Sequence, residues 1–383
     1  MTSRERISLA FAGKPTDRVP IFDQTVFSNV ASAAMGRQLD IGGGELRYRE
    51  VCSWMQGEAA HAEFVDKMLR DVAWFYREVG YDMIRMPWRE TRRPTRQIDQ
   101  YTFFFGDRDG VWAVCTYSPE SGSWHETDNY LRENGVDRLI DDLRRQVAAY
   151  QGAQRPDKSA FAEWDRLLAL AGPELAAACG AGGIGFGMHD LAWLEALYLE
   201  TDLMRIWHDQ HADRQVAAIE AFCEHGARVC LAGGDFCYHA GPAYSPYLFR
   251  EIVLPGLRRI VGACRRLGMR YIFRTDGDIW KAVDMLFKEA GCHGYGEIDY
   301  SAGMRLKDLR QAYPGVCLFG NIDCAGVLVK GDVDDVRRAV DDNLRETGGI
   351  GHVLGSSNSV VYETPPENYL AMVEAAKVWR PGL

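Results

Sequence analysis

Arg274 and Asp276 close the stretch YIFRTDG, where the apolar run Tyr271, Ile272 and Phe273 passes straight into charge. A guanidinium grips a carboxylate or steadies an oxygen anion, and a carboxyl beside it can hold or release a proton. The arrangement recurs along the chain. Asp235 and His239 follow an apolar run in LAGGDFCYH, His189 and Asp190 end GFGMHD, and Asp299 stands with Glu297 in GEIDY. Asn321 and Asp323 end FGNID, and Ser356, Ser357 and Asn358 end LGSSNS. Asp23 and Asp82 belong to two earlier runs, RVPIF and GYDMIRM, with Tyr81 and Trp88 as nearby aromatic surface. Each of these polar residues, taken alone, could equally cap a helix or turn, as Asp278 and Ser245 are expected to do. Arg274 and Asp276 could also pair with each other, since they lie two apart along an extended segment.

Asp235, Cys237 and His239 are spaced by two and, with Asp276, could form a mixed oxygen, sulfur and nitrogen metal site. The alternative is that Cys237 belongs to the core. No HxxxH, CxxC, GxSxG or GxxxxGK[ST] pattern is present, which removes support for nucleophilic hydrolase and NTPase chemistry.

The elements that must carry these groups follow a rhythm. RVPIF, GYDMIRM, GGIGFGMHD, ARVCLAGGDF, MRYIFRTDG, CHGYGEID, GVCLFGNID and GHVLGSSNS are short apolar runs that end in glycine or polar residues. Helical patterns separate them, among them SPYLFREIVLPGLRRIVGACRRLG, DIWKAVDMLFKEAG and DVDDVRRAVDDNLRETGG. Alternation of this kind predicts parallel strands with crossover helices, and eight such units predict an α/β fold of the (β/α)8 TIM-barrel type, with the polar strand ends gathered at one mouth. The Gly-rich GAGGIGFG contains a GxGxxG match at Gly180, Gly182 and Gly185 but lacks the strand-to-helix context that the open, doubly wound alternative requires. Residues 91–128 break the rhythm: alternating aromatics around an RDG turn predict a β-hairpin insertion after the second strand. The expectation is one domain over residues 1–383 with that insertion inside it.

The bulk properties narrow the partners. A net charge of −10 disfavours a nucleic-acid-coating face. No apolar run approaches the roughly 18 residues of a membrane span, and the N-terminal stretch has early charges without the apolar core of a signal peptide. The ten cysteines, scattered through apolar contexts, read as reduced core thiols of a cytoplasmic protein. Oligomeric state is not legible.

The stretches TSRERISLAFAGKPTDRVPI, DGDIW, GMRLKDLRQAYPGVCLFGNID and SSNSVVYETPPENYLAMVEAA resemble the uroporphyrinogen decarboxylase superfamily over nearly the whole chain. The resemblance implies a (β/α)8 barrel. Uroporphyrinogen decarboxylases themselves carry an N-terminal arginine-rich motif of the type MRQAGR and a C-terminal GHG-type motif. This chain has RVPIFDQTVFSNVASAAMGR and LGSSNS instead, so porphyrin decarboxylation is disfavoured. The other large branch comprises corrinoid-dependent methyltransferases. Its zinc–thiol members use an HxC motif after the fifth strand and a cysteine after the eighth; Arg274, Asp276 and about Ser357 stand there in this chain. The zinc ligands are thus replaced, and the resemblance points to the O-demethylase-like members, which act on methoxylated compounds. It implies a methyl transfer to a corrinoid (cobalamin) carried by a separate protein, since no corrinoid-binding segment is recognisable in this chain. On that reading Asp276, Arg274, Asp235 and His239 are the catalytic candidates. Asp82, His189, Asp299, Asn321, Asp323, Ser357, Asn358, Tyr81 and Trp88 are the substrate-binding ones, and any metal is unknown. A cofactor-free decarboxylase of a small carboxylic acid and a non-catalytic ligand-binding barrel are the alternatives.

Overall fold

A computed structural model describes residues 1–186 and 190–380. Among these, seven strands pair in parallel and in chain order: Met83–Ile84, Ala176–Cys179, Val229–Gly233, Arg270–Arg274, Gly294–Gly296, Cys317–Phe319 and His352–Val353. The eighth position is filled by residues 20–22. Ile21 bridges in parallel to Leu354 on one side, and the Asp82 amide donates to the Ile21 carbonyl at 2.9 Å on the other. The sheet therefore closes on itself as a (β/α)8 barrel, with its first strand at RVPIF as predicted.

One strand differs from expectation. The third was placed in GGIGFGMHD but lies upstream, at Ala176–Cys179, where all four residues are buried. Alanine has little intrinsic strand preference, but strands enclosed on both faces are selected by burial rather than by propensity. Residues 180–186 after it are loop: Gly182 and Gly185 adopt positive φ, and glycines offer no side chain to pack.

Two helical patterns are also less regular than their periodicity suggests. Around Pro255, the helix Leu254–Arg266 is preceded by a π-helical turn at Phe249–Val253; the proline removes a backbone donor and forces a local readjustment. DIWKAVDMLFKEAG forms only a short helical segment with a π turn at Met285–Glu289.

The interruption after the second strand is an antiparallel sheet of Arg96–Gln97, Thr102–Gly106, Trp112–Ser118 and Ser123–Asn129. It has a small core of its own, in which Phe103, Phe105, Cys115, Tyr117 and Trp124 pack with Val51. Asn129 ends the sheet and caps the next helix, accepting from the amides of Leu131 and Arg132 at 2.8 and 2.9 Å. The cysteines are free thiols. Among the described residues no helix is long and apolar enough to cross a membrane.

Candidate active site at the barrel mouth

Strand alternation aims the first functional group. Tyr271 and Phe273 pack outward into one core cluster, while Ile272 belongs to the other. Arg274 shares the side of Ile272, and a Cβ placed on Gly296 of the next strand would lie within 4 Å of both side chains. Arg274 thus points into the barrel opening. Its Nη1 lies 2.5 Å from Glu297 Oε1, and its guanidinium lies over the Trp88 ring, 4.7 Å from the centroid. Arg274 therefore pairs with Glu297, not with Asp276, the alternative that the spacing of two offered. The strand ends at Arg274, so period-two alternation no longer applies at Asp276.

Glu297 is buried and adopts φ 61°, a left-handed conformation costly for a residue with a side chain. Its Oε1 also accepts from Gln24 Nε2. Gln24 in turn donates to the Asn358 carbonyl at 3.1 Å, and Asn358 Nδ2 donates to Asp276 Oδ2 at 3.2 Å. A chain of contacts thus runs from Arg274 through Glu297, Gln24 and Asn358 to Asp276, joining loops after the first, fifth, sixth and eighth strands. Burial raises the pKa of Asp276 above its ordinary value, and the charges of Asp235 and Asp299 push it the same way. Burial likewise raises Glu297 against the pull of Arg274.

Asp23 lies behind this chain. It is fully enclosed and accepts from the Ser356 amide at 2.6 Å and from the Tyr81 hydroxyl at 2.9 Å; burial raises its pKa. A cavity of about 20 Å³ separates Asp23, Gln24, Glu297 and Asn358, room for about one water.

The second strand contributes a residue that sequence reasoning missed. Arg85 follows Ile84, is buried, and lies over the same Trp88 ring at 4.5 Å. Burial and the neighbouring Arg274 charge push its pKa down, to about 10, so it remains a cation at neutral pH. Its Nε donates to the Met86 carbonyl at 3.1 Å, but its Nη1 is buried without a partner among the described residues. Among the same residues Glu297 Oε2, Asn321 Oδ1 and Ser356 Oγ are also buried and unpartnered. Such groups are expensive unless something completes them.

The other predicted residues separate into those at the mouth and those that shape it. Asn321 is buried, donating to the Ile298 carbonyl at 3.2 Å. Asp299 caps its own loop through Ser301 and Ala302 and accepts from the Gly277 amide at 3.2 Å. Asp323 caps the turn at Ala325 and Gly326. Ser357 Oγ accepts from the Cys324 amide, tying the seventh loop to the eighth. Asp190, Asp278 and Ser245 are caps. His239 is exposed, at the turn of the hairpin Cys237–Tyr238 and Gly241–Pro242, and Cys237 is buried. His189 lies outside the described residues.

Asp82 and Tyr81 are corrections. Both precede the second strand and so sit at its amino-terminal end, away from the mouth. Asp82 is fully buried and pairs with Arg6 Nη1 at 3.1 Å and Arg18 Nη1 at 2.7 Å; it binds the N-terminal helix to the barrel, not a substrate. Tyr81 is buried among Phe22, Phe75 and Tyr76 and serves Asp23 from behind. Removing one partner of a buried ion pair costs about 3–5 kcal/mol. Asp82→Ala should therefore lower stability by about that much in urea unfolding, with substrate KM unchanged in the folded enzyme.

Gly277 explains why the motif reads RTDG. Its φ is 77°, and a Cβ there would approach the Tyr238 carbonyl oxygen to 2.6 Å. Gly277→Ala should displace the adjacent Asp276 and reduce turnover more than it reduces the melting temperature.

Residues 179–379 match the family model of uroporphyrinogen decarboxylase (URO-D). The chain belongs to this family. The matched span holds Arg274, Asp276, Glu297 and Asn358; Gln24 and Arg85 lie before it. Among curated members of the uroporphyrinogen decarboxylase family, the enzyme named uroporphyrinogen decarboxylase from Nitrosospira multiformis is 30% identical over 219 residues, covering 55% of this chain and 56% of the relative. Its counterpart from Syntrophotalea carbinolica is 26% identical over 215 residues, 54% of this chain and 58% of the relative. The chain thus spans little more than half the length of these relatives. A solved methyltransferase from Methanosarcina mazei superposes with a TM-score of 0.64 over 98% of both chains, at 16% identity, which establishes the shared fold.

Proposed function

We propose that this protein moves a methyl group from a small methylated, methoxylated compound to the cobalt of a corrinoid held by a separate protein. The observation that carries the reading is Asp276: a carboxyl of raised proton affinity at the end of the fifth strand, where the resemblance puts zinc in thiol-specific relatives. A zinc ion does not fit this donor set. Burial pushes the Cys237 thiol up, His239 is exposed on its hairpin, and among the described residues no three His, Cys, Asp or Glu side chains converge as ligands.

An ether oxygen leaves poorly unless it is protonated as the methyl carbon departs. Asp276 supplies that proton, a role worth about 10²- to 10⁴-fold, and Asn358 holds its carboxyl in place. Arg85, whose buried Nη1 has no partner among the described residues, receives an anionic group of the substrate there. Glu297, fixed by Arg274 and Gln24, offers Oε2 as an acceptor. Trp88, steadied by both guanidiniums, forms one wall for the substrate. The corrinoid partner supplies the nucleophile that accepts the methyl group.

Anaerobic incubation with reduced cobalamin or a corrinoid protein, and a panel of methoxylated aromatics, methylamines and thioethers, tests the reading through the visible spectrum of the cobalt. Methyl transfer from a methoxylated donor is the expected result. A second reading has its own support: an arginine with an unpartnered donor and, elsewhere at the mouth, an acid of raised proton affinity could also bind a small carboxylate and protonate the carbanion left by CO₂ loss, and the curated relatives are named as decarboxylases. CO₂ release without any corrinoid, and no methyl transfer across the panel, would replace the first reading with the second.

A further inference from the structure

A second opening lies apart from the barrel mouth. It is a cavity of about 790 Å³ between the insertion sheet and the helices Tyr130–Ala149 and Leu191–Leu199, and none of Gln24, Arg274, Asp276, Glu297 and Asn358 lines it. Its walls are aromatic, with Phe105, Trp112, Trp124 and Trp193 among them. The volume falls within the roughly 300–1,000 Å³ typical of small-molecule sites.

The charged groups around it are nearly all satisfied by one another. Arg92 meets Glu90 through Nε at 2.7 Å and Nη2 at 2.8 Å, and Trp124 Nε1 donates to the same carboxylate at 3.3 Å. Arg132 donates to the Thr127 carbonyl at 2.5 Å. Asn129 Nδ2 donates to Glu126 at 2.8 Å and to Asp190 at 2.9 Å. Arg47 is different. It lines the cavity, half-buried, and among the described residues its guanidinium donates to no acceptor. Glu90, a carboxylate whose charge Arg47 feels, is taken up by Arg92 and Trp124.

Arg47 is also held in place. It rides on the helix Gly43–Gln56, whose Gly44 amide donates to the Gly122 carbonyl of the insertion at 3.0 Å. A Cβ on Gly44 would come within 2.4 Å of that oxygen, so only glycine permits the approach. A permanently charged fork, fixed beside indole and phenyl rings and lacking an acceptor, matches a flat anion with an apolar body.

We propose that this cavity binds a planar aromatic carboxylate, its carboxylate on the Arg47 guanidinium and its ring among the tryptophans. The assignment stands independently of the methyl-transfer reading. Crystals of the full chain soaked with 4-bromobenzoate locate the site without any substitution. Anomalous bromine density in this cavity, with the carboxylate turned to Arg47, is the expected result; bromine only at the barrel mouth, or nowhere, would overturn the proposal. In solution, 2-naphthoate should quench tryptophan fluorescence saturably, and the neutral amide 2-naphthamide should bind at least about tenfold more weakly, as should 2-naphthoate to Arg47→Gln. Unchanged affinity in a variant that melts like the parent would also overturn it. If Arg47→Gln fails to fold, the bromine position decides.

Discussion

Asp276→Asn should lower kcat for methyl transfer by about 10²- to 10⁴-fold, the range of a lost general acid, with little change in substrate affinity. Asparagine keeps the shape and can still meet Asn358, so the loss isolates the proton. The pH profile gives a sharper check. A proton donor works in its protonated form, which exists below its pKa and is lost as pH rises through it; kcat should therefore decline on the alkaline side. That limb should lie above the ordinary aspartate value, because burial and the charges of Asp235 and Asp299 raise the Asp276 pKa. Asp235→Asn removes one of those charges, so the limb should move to lower pH while the plateau at low pH is retained. Asp299 is a poorer choice for this test, since its carboxylate also holds its own loop and the Gly277 amide. Wild-type kcat in Asp276→Asn would end the assignment, and an alkaline limb unmoved by Asp235→Asn would end the electrostatic account of it.

The barrel was legible because buried parallel strands are short apolar runs bounded by breakers, and seven of the eight carry valine, isoleucine, leucine, phenylalanine, tyrosine or methionine in their described strands. Ala176–Cys179 has none of these, and tertiary enclosure alone makes it a strand. Within the site, the sequence showed that polar residues gather at strand ends but not which face the opening. Asp276, Asp299 and Asp323 follow similar runs, yet Asp323 is spent on its own turn, Asp299 on two loops, and Asp276 faces the opening. That division depends on which backbone amides each loop presents. Gln24 and Glu297 meet from positions far apart in the chain, a contact no local spacing encodes. Asp82 was selected from the wrong end of its strand. The signal that would have corrected it was present: GYDMIRM, like YIFR, ends its apolar run in an arginine, and in a barrel the carboxyl end of the strand is the end that faces the site.

That arginine sets the second large effect. Arg85→Gln should raise KM for a carboxylate-bearing substrate by about 10²-fold, within the range for losing a buried charged hydrogen bond, and leave KM for an uncharged methoxylated analogue nearly unchanged. Arg85→Lys should fall between, since lysine keeps the charge but not the planar fork. Arg274 is the natural control. It too stands on Trp88 and at a strand end, but its charge is already matched by Glu297. Arg274→Gln therefore strips a buried carboxylate of its partner and should cost stability, about 3–5 kcal/mol in urea unfolding, where Arg85→Gln should cost less because no carboxylate depends on it. The two substitutions thus separate a cation that the fold uses from one that it leaves open. An unchanged KM for the charged substrate in Arg85→Gln, or the same fold-change for charged and uncharged substrates, would show that no substrate anion binds there. Losses of the same size and kind from both arginines would show that the pair acts only as scaffolding for Trp88 and Glu297.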